Sequence, residues 1–152
     1  MSAEARLKEL GIELGAVPKP RWAYVPAVRT GNLVFISGQI ATENGQVLHP
    51  GKLGRDVDVA TGAACARGCA ISALSVLKQE LGSLDRVRKV VKLTVFVASA
   101  DGFGDQPTVA NGASEFLREI FGDAGIGARS AVGMAELPLG GPVEVEFIFE
   151  VE

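Results

Sequence analysis

The sequence predicts an α+β domain in which a mixed β-sheet carries two helices on one face. Three observations predict it. Two long segments repeat small and apolar residues at three- and four-residue spacing, β-branched runs stand between and around them, and the composition is that of a folded core. At 152 residues, 47% hydrophobic and 22% charged, one domain over 1–152 is expected, and it needs no disulfide or metal staple.

Each element has its own local reason. A short helix over about Ser2 to Leu10 opens the chain: Ser2 suits the N-cap, Leu7 and Leu10 form a narrow apolar side, and Gly11 stops it. With the Pro18-Lys19-Pro20 break, residues 1–20 read as a helical extension. Two strand-like runs, Trp22 to Val28 and Leu33 to Ser37, flank Thr30-Gly31-Asn32, which is hairpin chemistry. Gly38 to Arg55 reads as a long loop with a short strand near Gln46 to Leu48, and long loops in compact domains are often functional. Ala63, Ala66, Ala70, Ala73, Leu74, Leu77 and Leu81 then mark the main helix, Val59 to Leu81, stopped by Gly82. Its alanine-rich face lets a sheet approach closely.

Val87 to Ala98 is a β-branched run suited to a central strand. Helical spacing returns from Asp105 to Phe121, and strands follow at Ala128 to Met134 and Pro142 to Glu152. The last alternates Val143, Val145, Phe147, Phe149 and Val151 with a mostly acidic face. A helical crossover makes parallel strands and hairpins make antiparallel ones, so the sheet is mixed. Its second face is left to be polar or buried against another subunit.

Several function classes fall away on composition. The net charge of −3, without basic runs, argues against nucleic acid and membrane surfaces. No uninterrupted apolar stretch approaches the ~20 residues of a membrane helix. Glu4, Lys8 and Glu9 occupy the place of a signal peptide's apolar core, so a cytoplasmic location is expected. Cys65 and Cys69 lie four apart on one helix face, a poor geometry for a disulfide, and His49 is the only histidine, so no metal set is expected. A Ser-His-Asp hydrolase, a Walker loop and a Gly-x-Gly-x-x-Gly fingerprint are all missing.

The remaining chemistry is sparse. Arg129 begins a strand, where it is either a surface or ion-pairing side chain or a bidentate clamp for a carboxylate. Glu144 lies across the Leu137-to-Pro142 turn. If that turn joins an antiparallel pair, Arg129 and Glu144 sit on adjacent strands and face one pocket; otherwise Glu144 is an ordinary ion-pair partner. Ser37-Gly38 ends a strand, either as a simple turn or as a hydroxyl and unobstructed N–H offered to a ligand. Tyr24 is a core or rim aromatic beside Trp22, and Asn111 a polar residue on the second helix.

Taken together, Ala23-Tyr24-Val25, Gly31-Asn32-Leu33-Val34-Phe35-Ile36-Ser37-Gly38-Gln39-Ile40, Val91 to Val97, Ala128-Arg129-Ser130 and Leu137-Pro138 to Val143-Glu144-Val145-Glu146 resemble the Rid (YjgF-type) family. These are reactive-intermediate imine/enamine deaminases, some of which carry the label endoribonuclease L-PSP. The resemblance runs from about Tyr24 to Val151. It implies a trimeric chorismate-mutase-like fold, a homotrimer with clefts between subunits, and cofactor-independent hydrolysis of imines such as 2-aminoacrylate to a 2-keto acid and ammonia. It also implies that Arg129 holds the substrate carboxylate and that Glu144 positions or activates water. Tyr24, Ser37, Gly38 and Asn111 fall at pocket positions, Asn111 with a one-residue shift.

Three departures stand out: Ala131 where many deaminating members have cysteine, Ala23 in place of proline before the tyrosine, and the longer extension and Gly38–Val57 loop. They motivate a second reading, a non-enzymatic binding module for a small carboxylate in the same cleft. A ribonuclease reading rests only on the family label, and the charge distribution opposes it.

Overall fold

Capping chemistry sets the helix limits in the computed structural model, which describes residues 1–152. The first helix, α1 (Ala3–Glu9), starts where the Ser2 hydroxyl accepts from the Ala5 N–H at 3.2 Å. It precedes β1 (Ala27–Thr30), β2 (Leu33–Ile40), β3 (Thr42–Glu43) and β4 (Gln46–Val47). The long α2 (Val59–Leu81) begins at Asp58, whose carboxylate accepts from the Thr61 N–H at 2.7 Å, and ends at Gly82 with φ 80°. That left-handed φ is why a glycine stands there. Next come β5 (Val87–Ala98), α3 (Gln106–Phe121), β6 (Ala128–Met134) and β7 (Val143–Val151).

Five strands form one mixed sheet in the order β1-β2-β7-β5-β6, with only β5 and β6 parallel. The alternation in β7 puts Val143, Val145, Phe147, Phe149 and Val151 into the core beneath α2 and α3, where the Phe147 and Phe149 rings stack at 5.9 Å. Both helices therefore cover one face, as expected. They cross closely: a Cβ on Gly112 of α3 would collide with the Ala63 carbonyl of α2. Arg67 covers the Phe116 ring at 4.6 Å while paired with Glu119 at 3.0 Å.

The extension is tied down by charge. Glu4 of α1 accepts from Lys78 Nζ at 2.8 Å and from the Leu84 N–H at 3.0 Å, and Arg6 donates to the Glu119 carbonyl. The Lys78 ammonium holds the Glu4 carboxyl below its usual range.

Three expectations need correction. Trp22 to Val28 is not one strand: pairing begins at Ala27, because Pro26 interrupts the segment and β2 offers partners only from Ala27 onward. The Gly38–Arg55 loop is better ordered than a plain loop. Asn44 (φ 50°) and Gly45 (φ 76°) turn β3 into β4, and Leu53 is fully buried beside Ala98. The expectation that no uninterrupted apolar stretch reaches membrane length stands: α2 qualifies by length and mean composition alone, and ten of its residues are buried within the fold.

The third correction bears on the site. The strands β6 and β7 do not pair, because β5 lies between them. The crossover through α3 makes β6 parallel to β5 and places it at the sheet edge.

Candidate functional site

The core alternation decides where Arg129 points. Its register partner on β5 is Leu93, which is buried beneath the helices, so Arg129 lies on the helix-covered side of the edge strand. There Nη1 donates to Asn111 Oδ1 at 2.8 Å and to Ser114 Oγ at 3.2 Å, and Nη2 donates to the Pro107 carbonyl at 3.3 Å. These three bonds come from one face and end of α3. A guanidinium has five N–H groups, so the Nε–H and one Nη2–H remain uncommitted. They are neighbours on one side of the fork, the arrangement that grips a carboxylate with two parallel bonds. No acidic side chain pairs with Arg129, so its positive charge is not neutralised within the chain.

Glu144 belongs to the other face. It stands opposite Ile40 on β2 and Phe96 on β5, half-buried on the side away from the helices. A bulge in β2 makes room for it: Ile36 pairs with Phe147 and Gln39 with Val145, which leaves Ser37 and Gly38 together across from Glu146. The Glu144 carboxylate packs directly over Gly38, in the space a Cβ would fill. Burial, followed by the charge of Glu146, pushes the Glu144 carboxyl above its ordinary range. A carboxylate so placed is a stronger base than a solvated one.

The Tyr24 segment closes this second cluster. The Ser37 hydroxyl donates to the Val25 carbonyl at 2.7 Å, and the Ser37 N–H donates to the Pro26 carbonyl. This fastens the segment carrying Tyr24, a half-exposed aromatic, beside the bulge. Ser37 thus acts on the backbone and keeps only its lone pairs for a ligand.

The residues singled out from sequence therefore form two clusters. Arg129 and Asn111 meet at the β6 edge, while Tyr24, Ser37, Gly38 and Glu144 gather around β2 and β7. The expectation that Arg129 and Glu144 face one pocket within a chain is not met: they occupy opposite faces and non-adjacent strands. Sequence reasoning missed Ser114 and the Pro107 carbonyl. Ser114 stands three residues after Asn111, one helical turn along the same face, and that spacing is the signal that could have found it.

Neither cysteine contributes. Both thiols are buried, burial pushes their pKa values up, and Cys69 donates weakly to the Val143 carbonyl at 3.7 Å.

The open sheet face mixes apolar and polar residues. Val28, Phe35 and Val132 are exposed there and Phe96 and Ile148 half-buried, in the same rows as Lys92, Thr94, Glu144 and Glu146.

A mixed sheet backed by two helices, with a free guanidinium fork at one edge and a half-buried carboxylate over a glycine bulge, defines an α+β protein with a candidate site for a small anion. Residues 4–150 match the family described as "YjgF/chorismate mutase-like, putative endoribonuclease", and the chain belongs to that family. It is 43% identical over 148 residues to "Protein TCP17" of Trypanosoma cruzi, covering 97% of this chain and 92% of that one. A "2-iminobutanoate/2-iminopropanoate deaminase" of Dermatophagoides farinae is 33% identical over 136 residues, covering 89% of this chain and 91% of the other. Among solved structures, a protein of unknown function from Agrobacterium tumefaciens superposes with a TM-score of 0.89 at 43% identity, covering 98% of this chain and 91% of that one.

Proposed function

We propose that the protein hydrolyses imines of 2-keto acids, such as the imine tautomer of 2-aminoacrylate, at a site that one copy's Arg129 and a neighbouring copy's Glu144 build together. The observation that carries this reading is the split itself: a carboxylate clamp and a general base, each complete in its own surroundings and neither able to reach the other within one chain. Val28, Phe35 and Val132, exposed on the open sheet face, supply apolar contacts on which copies associate, and the family resemblance implies a homotrimer.

The chemistry asks little of the protein. An imine carbon is already electrophilic, so orientation and a placed water carry most of the barrier reduction. The Nε–H and Nη2–H of Arg129 grip the substrate carboxylate. With the imine bound in its N-protonated form, Glu144 takes a proton from water as the oxygen bonds to the imine carbon, leaving a neutral carbinolamine. It gives that proton to the amine and takes up the proton of the new hydroxyl as the carbon–nitrogen bond breaks, releasing ammonia and a 2-keto acid and then passing the last proton to solvent. A raised Glu144 pKa suits both halves of this cycle. No step needs a cofactor. The deaminase name of the mite relative supports the reading.

The test is ammonia release from enzymatically generated 2-aminoacrylate, with Arg129→Ala alongside at the same oligomeric state. Acceleration that Arg129→Ala abolishes is the expected result. Tight 2-keto acid binding without turnover would instead mark a binding module.

A further inference from the structure

Tyr24 and Gly38 belong to a second feature besides the Glu144 cluster. They line a groove of about 570 Å³ between α2, the end of β2 and the extended segment 15–22. Ile71, Ser72 and Val76 of α2 and Val17, Pro18 and Trp22 of the extended segment line it as well. Trp22 and Leu139 are each 66% exposed at the groove, and Leu139 holds a φ of +59°, a conformation that costs an apolar residue energy and gains it no burial. No aspartate or glutamate lines the groove, whereas Lys19 and Arg21 do, in a chain whose net charge is −3. Such a lining repels no carboxylic acid and favours an apolar body attached to one.

We propose that this groove is the side-chain subsite of the proposed hydrolase: it receives the apolar side chain of an imino or 2-keto acid whose carboxylate Arg129 of a neighbouring copy holds. The inference rests on the functional reading above, and it makes the extension a specificity wall. The volume admits side chains well beyond the methyl of the imine tautomer of 2-aminoacrylate, and each buried methylene tightens binding by about fourfold.

Calorimetric titration of the full-length protein with pyruvate, 2-oxobutanoate, 2-oxopentanoate and 2-oxohexanoate tests it. Wild type is expected to bind 2-oxohexanoate roughly 60-fold more tightly than pyruvate, from three added methylenes. Ser72→Trp, which fills the groove from α2, should bring that ratio to within about threefold, and Trp22→Ala, at an exposed site that should leave folding intact, should lower it by about tenfold. Pyruvate binding with no gradient in wild type would overturn the subsite and leave the Arg129 site standing. A gradient that survives both substitutions would also overturn it. Absence of binding by every acid, unchanged in Arg129→Ala, would remove the site reading itself.

Discussion

Arg129 and Glu144 lie on opposite faces of one sheet, on strands that β5 keeps apart. A substrate touching both must therefore bridge two copies of the chain. Mixing Arg129→Ala with Glu144→Gln under conditions of subunit exchange should restore activity that neither variant has alone. At equal proportions about a quarter of sites pair an intact Arg129 with an intact Glu144, so about a quarter of the wild-type rate is expected. Ammonia release before and after exchange measures it, and no recovery would place the two residues in separate roles.

Gly38 is a glycine because Glu144 occupies the position of its missing Cβ. In Gly38→Ala the obstacle is the far end of a flexible side chain, so the carboxylate swings away and the fold survives. Stability should change by less than about 1 kcal/mol, while activity falls by up to about 100-fold, the scale set by misplacing a catalytic group by an ångström. Denaturant unfolding and steady-state kinetics on one preparation separate the two effects.

Ser114 orients the clamp without occupying its free edge. Loss of its hydrogen bond in Ser114→Ala should loosen the fork by about 1 kcal/mol, a roughly fivefold rise in KM with kcat nearly preserved. Ser114→Thr keeps the hydroxyl and should restore the parent KM. Equal falls in kcat for both variants would point to disturbed packing of α3 instead.

Burial and then the neighbouring Glu146 charge raise the Glu144 pKa, so the acid limb of the activity profile should lie above the range of a solvated glutamate. In Glu146→Gln the repulsion is gone and ionisation of Glu144 becomes easier. The acid limb of kcat/KM should then move to lower pH. A shift to higher pH would assign that limb to another group. The same group affects stability with a defined sign: a folded pKa raised above the unfolded value stabilises the native state at low pH. That contribution is lost as pH rises through the folded pKa.

The crossing of α2 and α3 depends on the absence of a side chain at Gly112. Gly112→Ala sets a methyl against the Ala63 carbonyl, a backbone atom that cannot swing aside. Separating the helices should cost about 1–3 kcal/mol, read as a lower midpoint in urea, despite the better helix propensity of alanine. Because α3 carries Asn111 and Ser114, KM for the imine should rise in the same variant.

Elements whose periodicity repeats over many residues were legible in the sequence. Val59–Leu81 and Val87–Ala98 have the limits that apolar spacing and Gly82 assign to them, because local steric and capping preferences act within a few residues. Trp22 to Val28 misled for the same reason: its residues favour a strand, but a strand exists only where a neighbour offers hydrogen bonds, and that depends on β2. The Asn44-Gly45 turn carried its signal openly in the Asn-Gly pair.

The site divides along the same line. By itself the sequence determined the alternation of β7, the mixed character of the sheet, and which residue types could clamp or activate an anion. Only the tertiary structure decided that β5 enters between β6 and β7, that Arg129 and Glu144 point to opposite faces, and that Ser114 and the Pro107 carbonyl orient the guanidinium. Side-chain type and spacing are properties of neighbouring residues. Strand order is settled by which long-range pairing buries the most apolar surface with every backbone group satisfied, and no local pattern records it.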